Sequence, residues 1–245
     1  MDRGFYSLAS GMLTQSRVLT GISNNLANIE TPGYKKKLVT TSTFGNLMIN
    51  RLDTQRTELG SVSLITVADK TNTIHTEGVL KNTNRALDFA IKGDGFFAVQ
   101  GTNGTVYTRN GSFNVDSEGY LTLNNVGRVL GANGPIRVGT DQIEADEQGN
   151  LFANGRNVGR IAVYNFADYT ALQAAGEGMF SYTGGAPALM QNPSILWKTV
   201  EGSNVNAVEE MTRAISAQRN LQNCSQALKM YDQVLTNSVT NIAKI

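Results

Sequence analysis

The sequence predicts an α+β fold in which N- and C-terminal helices form a coiled-coil-like rod domain and an all-β, Gly-rich meander or barrel-like domain is inserted between them. Three observations carry this reading. Both ends repeat apolar residues at alternating steps of three and four, both repeats form a narrow seam, and the middle consists of short β-type runs separated by Gly-containing turns.

The N-terminal repeat is Phe5, Leu8, Met12, Gln15, Leu19, Ile22, Leu26 and Ile29, with Gln15 its one polar member. It predicts a helix over about residues 3–29, roughly 40 Å long. Thr31-Pro32-Gly33 stops it, because Pro32 has no N–H to donate and forces Thr31 out of the α region. The C-terminal repeat reads Val208, Met211, Ile215, then breaks phase and resumes as Leu221, Cys224, Leu228, Tyr231, Leu235, Val239 and Ile242. That helix, about 207–242, would be roughly 53 Å long. Asn206 is its predicted cap, Glu209 three residues on completes a capping box, and Glu209 and Glu210 suit the positive end of the helix dipole. Ordinary core packing explains one such stripe. Two at opposite ends of the chain, each too narrow for a globular helix face, predict that residues 201–245 pair with residues 1–32.

Between the helices, residues 33–72 are polar, rich in Thr, Ser and Asn, and read as an extended or disordered arm. A central β-domain over 73–200 follows, with runs at 86–91, 95–100, 106–108, 112–115, 120–123, 142–145, 150–153 and 160–166. An internal echo supports it: 113–121 and 143–151 share the form apolar-x-apolar-Asp-x-x-Gly-x-Leu, a strand, an Asp-initiated turn with Gly in the left-handed position, and a second strand.

Composition excludes several function classes. The 245 residues are 40% hydrophobic, enough for a real core, and the net charge of +1 supplies no field to recruit nucleic acid or an anionic membrane. Lys35, Lys36 and Lys37 form the one basic run and read as a solvated linker. The single cysteine, Cys224, excludes an internal disulfide and falls on the apolar seam as a small hydrophobe. No apolar run is long enough for a membrane span and no cleavable signal is evident, so the default compartment is the cytoplasm. Gly93-Asp94-Gly95 lacks the third glycine of a dinucleotide loop, and Asp116 and Asp146 do not open calcium loops. His75, the sole histidine, reads as solvated, and Trp197 as a packing anchor. Asn103, Asn110 and Asn223 begin glycosylation-type tripeptides of the kind an Asn/Ser/Thr-rich chain produces by chance. No catalytic, cofactor-binding or metal-binding residues are assigned, so the chain is not predicted to be an enzyme or to take a small-molecule substrate.

Four motifs carry a family resemblance. Asn24, Asn25, Leu26, Ala27, Asn28, Thr31, Pro32, Gly33, Tyr34 and Lys35, preceded by a stretch from Phe5 to Met12, resemble the N-terminal signature of bacterial flagellar rod and hook proteins. Residues 76–97 resemble that family's central strand motif, 107–121 its next hairpin, and Glu201 to Met211 with Gln218-Arg219 its C-terminal motif; Leu221 stands where an aromatic residue is usual. The resemblance implies a structural subunit of the flagellar basal-body rod that polymerises helically through its terminal helices. The assembly seam would then be Phe5, Leu8, Met12, Leu19, Ile22, Leu26, Ile29, Val208, Met211, Ile215, Leu221, Leu228, Tyr231 and Leu235. It also implies partners in itself, in homologous rod and hook axial subunits and in the flagellar type III export apparatus, and a basal-body location in the cell envelope reached without a cleavable signal peptide. Length argues for a rod subunit over a hook-type axial protein, and the Asp2 start and the stretch 131–136 lean toward the proximal rod type. The rival class is another extracellular β-rich fibre or adhesin subunit. Seams exposed before assembly predict mobile termini in the isolated monomer.

Overall fold

Local chemistry stops the first helix and starts the last one. In the computed structural model, which describes residues 2–51, 57–102, 104–176 and 178–242, α1 spans Asp2–Ala27. Residues 28–33 turn instead of continuing: the Thr31 amide and hydroxyl both bond back to Asn28, at 3.2 Å each, and Gly33 adopts a φ of +70°. Ile29, the last residue of the N-terminal repeat, therefore lies in the turn beyond the helix. The second helix, α2, spans Ala207–Ile242. The Asn206 side-chain oxygen caps it, accepting from the amides of Val208 at 3.0 Å and Glu209 at 3.3 Å. Asn103 and residues 52–56 of the predicted arm lie outside the described residues.

The chain divides into two compact units. One gathers α1, residues 37–74 and α2; the other gathers residues 28–36 and 75–205. In the first, α1 and α2 run antiparallel. A Cβ at Gly4 would meet the Tyr231 ring at 3.7 Å and one at Gly11 would meet Cys224 Sγ at 3.6 Å, so seven residues forward on α1 match seven back on α2. Residues of the predicted arm form two long antiparallel strands, β1 (Lys37–Arg51) and β2 (Thr57–Thr73), paired from Lys37 opposite Thr73 to Arg51 opposite Thr57, with the register shifting between Val39 and Thr41 and between Ile49 and Asn50. Their Thr, Val and Ile content suits a pleated ladder. Gly21 brings α1 close to β1, with a Cβ there only 2.9 Å from the Val39 side chain.

The second unit is β-rich. Its strands run β3 (Leu80–Asn82), β4 (Phe89–Ile91), β5 (Phe96–Gly101), β6 (Gly104–Thr108), β7 (Asn114–Val115), β8 (Leu121–Leu123), β9 (Gly127–Gly131) and β10 (Gly134–Pro135). They continue as β11 (Ile143–Ala145), β12 (Asn150–Ala153), β13 (Arg156–Arg160), β14 (Val163–Asn165), β15 (Leu172–Ala174), β16 (Met179–Tyr182), β17 (Ala188–Leu189), β18 (Ile195–Trp197) and β19 (Thr199–Glu201). The largest sheet follows the order β15-β16-β6-β5-β9-β8-β7 and stays open, its end strands β15 and β7 not pairing with each other, so no barrel closes. The pairing is antiparallel, β14 also joins β5, and β18-β4 and β19-β3 form separate pairs.

The core sits on both faces of β5. Phe97 and Val99 point into a cluster with Phe89, Phe113, Leu121 and Ile161, while Phe96 and Ala98 point into another with Tyr107, Phe166 and Phe180. A strand buried on both faces shows no polar alternation, which is why residues 96–99 read as one apolar run. The internal echo is a repeated turn. Asp116 Oδ1 accepts from the amides of Glu118 and Tyr120, Asp146 Oδ1 from those of Gln148 and Asn150, and Gly119 and Gly149 take φ of +84° and +82°. Among the described residues no helix is long and apolar enough to cross a membrane.

Candidate functional site

The signature motifs perform joining work, one set in each unit. In the helical unit the buried side chain of Asn25 is bonded in three directions. Its amide donates to the Lys37 carbonyl at 2.9 Å and to Glu210 Oε2 at 3.0 Å, and its oxygen accepts from the Lys37 amide at 3.0 Å. One residue thereby fixes α1 to the start of β1 and to the first turn of α2. Glu210 is fully buried and its other oxygen accepts from Arg213 at 3.1 Å.

In the β-rich unit, residues 33–36 of the N-terminal signature meet residues 201–204 of the C-terminal motif. The Gly33 amide donates to the Glu201 carbonyl at 2.7 Å, and the Lys36 amide donates to Asn204 Oδ1 at 2.6 Å. Gly33 is required twice over: its φ is positive, and a Cβ would lie 2.2 Å from the Asn110 nitrogen. Tyr34 is buried beside it, at 4% exposure. Pro32 and Thr31 set the approach, in the turn described above.

Lys35 corrects the solvated-linker expectation. Its side chain and that of Glu201 are fully buried and joined at 2.5 Å, and Lys35 Nζ also donates to the Thr76 carbonyl at 2.7 Å. Glu201 Oε1 takes the Gly78 amide at 2.9 Å, while Oε2 takes Arg109 at 3.1 Å, whose guanidinium donates on to the Gly93 carbonyl at 2.7 Å. One carboxylate thus ties five segments together. Burial holds the Lys35 pKa below its usual value, against the opposing pull of Glu201. The tie was invisible locally because Lys35 and Glu201 stand 166 residues apart. Such a cluster suits cross-linking rather than chemistry on a substrate, since the reactive atoms face protein on all sides.

His75 is likewise not solvated. It is half-buried among Phe180, Tyr169 and Phe96, with ring centroids 5.0, 5.5 and 5.8 Å away, and its buried Nδ1 meets no hydrogen-bond partner among the described residues. Desolvation, then the charges of Lys35 and Arg109, lower its pKa to about 4. Trp197 packs on the core and its Nε1 donates to the Ala86 carbonyl at 2.8 Å. Among the described residues no group of three metal-ligating side chains gathers in one place.

The seam residues divide by exposure. Ile22 is buried, Leu8, Met12, Leu19 and Leu26 are half-buried, and Phe5 is 44% exposed. On α2, Leu221, Leu228, Tyr231 and Leu235 are half-buried, whereas Val208, Met211 and Ile215 are exposed at 74%, 54% and 54%. The inward face of α2 runs without interruption through Ala207, Glu210, Ala214, Ala217, Leu221, Cys224, Leu228, Tyr231 and Leu235, in steps of three and four. The apparent phase break is therefore two stripes, one residue apart. The inner one was missed because its first half is made of alanines and a buried acid, and only its regular spacing signals it.

Comparison with known proteins accords with this geometry. Residues 5–35 match the family model for flagella basal body rod protein, residues 90–153 that for the flagellar hook protein FlgE/F/G D1 domain, and residues 198–241 that for the flagellar basal body rod FlgEFG protein C-terminal. The chain is 31% identical to the flagellar basal-body rod protein FlgG of Bacillus subtilis over 260 aligned positions, covering 98% of each chain. It is 33% identical to the flagellar basal-body rod protein FlgF of Mesorhizobium japonicum, covering 94% of this chain and 93% of that one. It is 27% identical to the flagellar hook-basal body complex protein FlhO of Bacillus subtilis, along the whole of both. With its two signature motifs bonded to each other and near-full-length identity to rod proteins, the chain belongs to the flagellar basal-body rod protein family.

Proposed function

We propose that this structural subunit of the flagellar basal-body rod polymerises through two separate apolar stripes on its terminal helices. The inner stripe of α2 packs on α1 within the chain, in coiled-coil fashion. The outer stripe, Val208, Met211 and Ile215, packs on the terminal helix of a neighbouring axial subunit, together with Phe5, the exposed member of the seam on α1. The observation that carries this is one helix bearing two parallel apolar stripes of which a single chain covers one. A heterologous contact that repeats without closing gives a helical filament, the form a drive shaft for motility needs.

The partners are further copies of the chain and homologous rod and hook subunits, and delivery is through the flagellar type III export apparatus. The β-rich unit lies in the same chain as the axial helices and acts as a packing body rather than a catalyst. A clean deletion tests the reading: basal bodies should lose their rod and hook, and their normal assembly without this chain would refute it. The stripe assignment is tested by Met211→Glu, which should abolish assembly and motility while leaving the soluble subunit's stability within about 0.5 kcal/mol, as exposed substitutions do.

A further inference from the structure

A groove between α1 and the β1–β2 ladder gathers three cations, Arg17, Lys37 and Lys70, around a volume of about 290 Å³, with Val39 and Ala68 in its floor. Among the described residues no carboxylate lines it and none of the three cations has an ion pair; the Arg17 guanidinium reaches only the Ala68 carbonyl, at 3.4 Å. A lining that carries three cations and, among the described residues, no carboxylate favours an anion that offsets them. Charge is also divided unevenly along the chain. The residues of the helical unit include ten basic and seven acidic side chains, and those of the β-rich unit eleven basic and thirteen acidic.

The acidic excess is concentrated. Residues 141–147 contain Asp141, Glu144, Asp146 and Glu147 and no basic residue. Asp146 is committed to its turn, but Asp141, Glu144 and Glu147 are exposed and carry no ion pair among the described residues. Burial of Ile143 at 2% in β11 turns the next side chain, Glu144, outward.

We propose that the groove is a carboxylate-binding site filled by the acidic segment 141–147 of a second copy of the chain, an electrostatic contact that fixes register between neighbouring rod subunits. This rests on the rod reading. Apolar stripes alone tolerate sliding by a heptad, whereas a charged segment seated in a cationic groove does not, so the contact supplies specificity that the helices lack.

The test uses two full-length chains, both Cys224→Ser, one carrying Lys70→Cys and the other Glu144→Cys, expressed together in cells lacking the native chain. Mild oxidation of purified hook-basal bodies should give a disulfide-linked dimer of about twice 26.4 kDa, absent when either chain is expressed alone. Normal hook-basal bodies without that dimer overturn the proposal. Protection of Lys70 from acylation by inorganic phosphate, with no dimer, also overturns it and leaves a free-anion site. A charge swap keeps the idea falsifiable should the cysteine chains not assemble. Lys37→Glu with Lys70→Glu should abolish assembly without lowering the Tm of the soluble chain, and adding Glu144→Lys with Glu147→Lys should restore it; no restoration sinks the pairing. Failure of the rod reading itself looks different, because the deletion strain would then build rods.

Discussion

Glu201 faces two cations with all three side chains buried, and the cost of breaking that arrangement is set by what is left behind. Glu201→Gln keeps the shape but leaves Lys35 and Arg109 without a counter-charge, which should lower stability by about 3–5 kcal/mol. Chemical denaturation of the soluble chain measures it, and a loss below 1 kcal/mol, a figure typical of an exposed pair, would show that the cluster is solvated. His75 makes a pH prediction of definite sign. Its folded pKa of about 4 lies below the ordinary 6.5, so the unfolded chain binds the proton first as pH falls. Its contribution to stability is constant above 6.5, declines between 6.5 and about 4, and levels off below. His75→Phe should remove that slope from a urea-unfolding series across pH. The carboxylates of Asp116, Asp146 and Asp168 act in a separate window: against desolvation, which is the largest influence on Asp116 and Asp146 and raises them, hydrogen bonds from turn amides and side chains hold all three low, so their contribution is intact above the ordinary 3.8 and is lost as pH falls below it.

At the scale of elements, the turn after α1 and the face of α2 decide the most. Gly33→Ala forces a Cβ into the Asn110 backbone at a positive φ, so the junction of residues 28–36 with 201–204 must shift. Destabilisation of about 2–4 kcal/mol is expected, and an unchanged Tm would mean that this turn is free to rearrange. The start of α2 was legible from Asn206, and the end of α1 was placed two residues late because apolar spacing runs on through Ile29. Strands β5, β8 and β12 were legible from apolar runs between turn residues. Strands β13, β15 and β17 were not, since β13 and β17 bury no residue and β15 only Leu172, and their pairing is set by partners such as β12, β16 and β14.

For the whole molecule, the two units differ in what holds them. The β-rich unit encloses two aromatic and aliphatic clusters, whereas the second half of α2 shows alternately half-buried and exposed residues along its length. Limited proteolysis of the soluble chain should therefore cut within residues 1–30 and 207–245 before the β-rich unit, and assembly should protect both ends. Equal resistance of all three regions in the soluble chain would contradict that order. The sequence by itself determined the terminal helices, their seven-residue repeat, the Asp-Gly turns and the family, because each is written in residues close together or in long ordered motifs. Only the tertiary structure decided that Lys35 is a buried counter-charge, that His75 sits among aromatic rings, that residues 37–51 and 57–73 pair as a ladder, and that α2 carries two stripes rather than one broken seam. Those outcomes depend on distant partners, 166 residues apart for Lys35 and Glu201 and 185 for Asn25 and Glu210, and burial is a property of what arrives from elsewhere in the chain, which no local window contains.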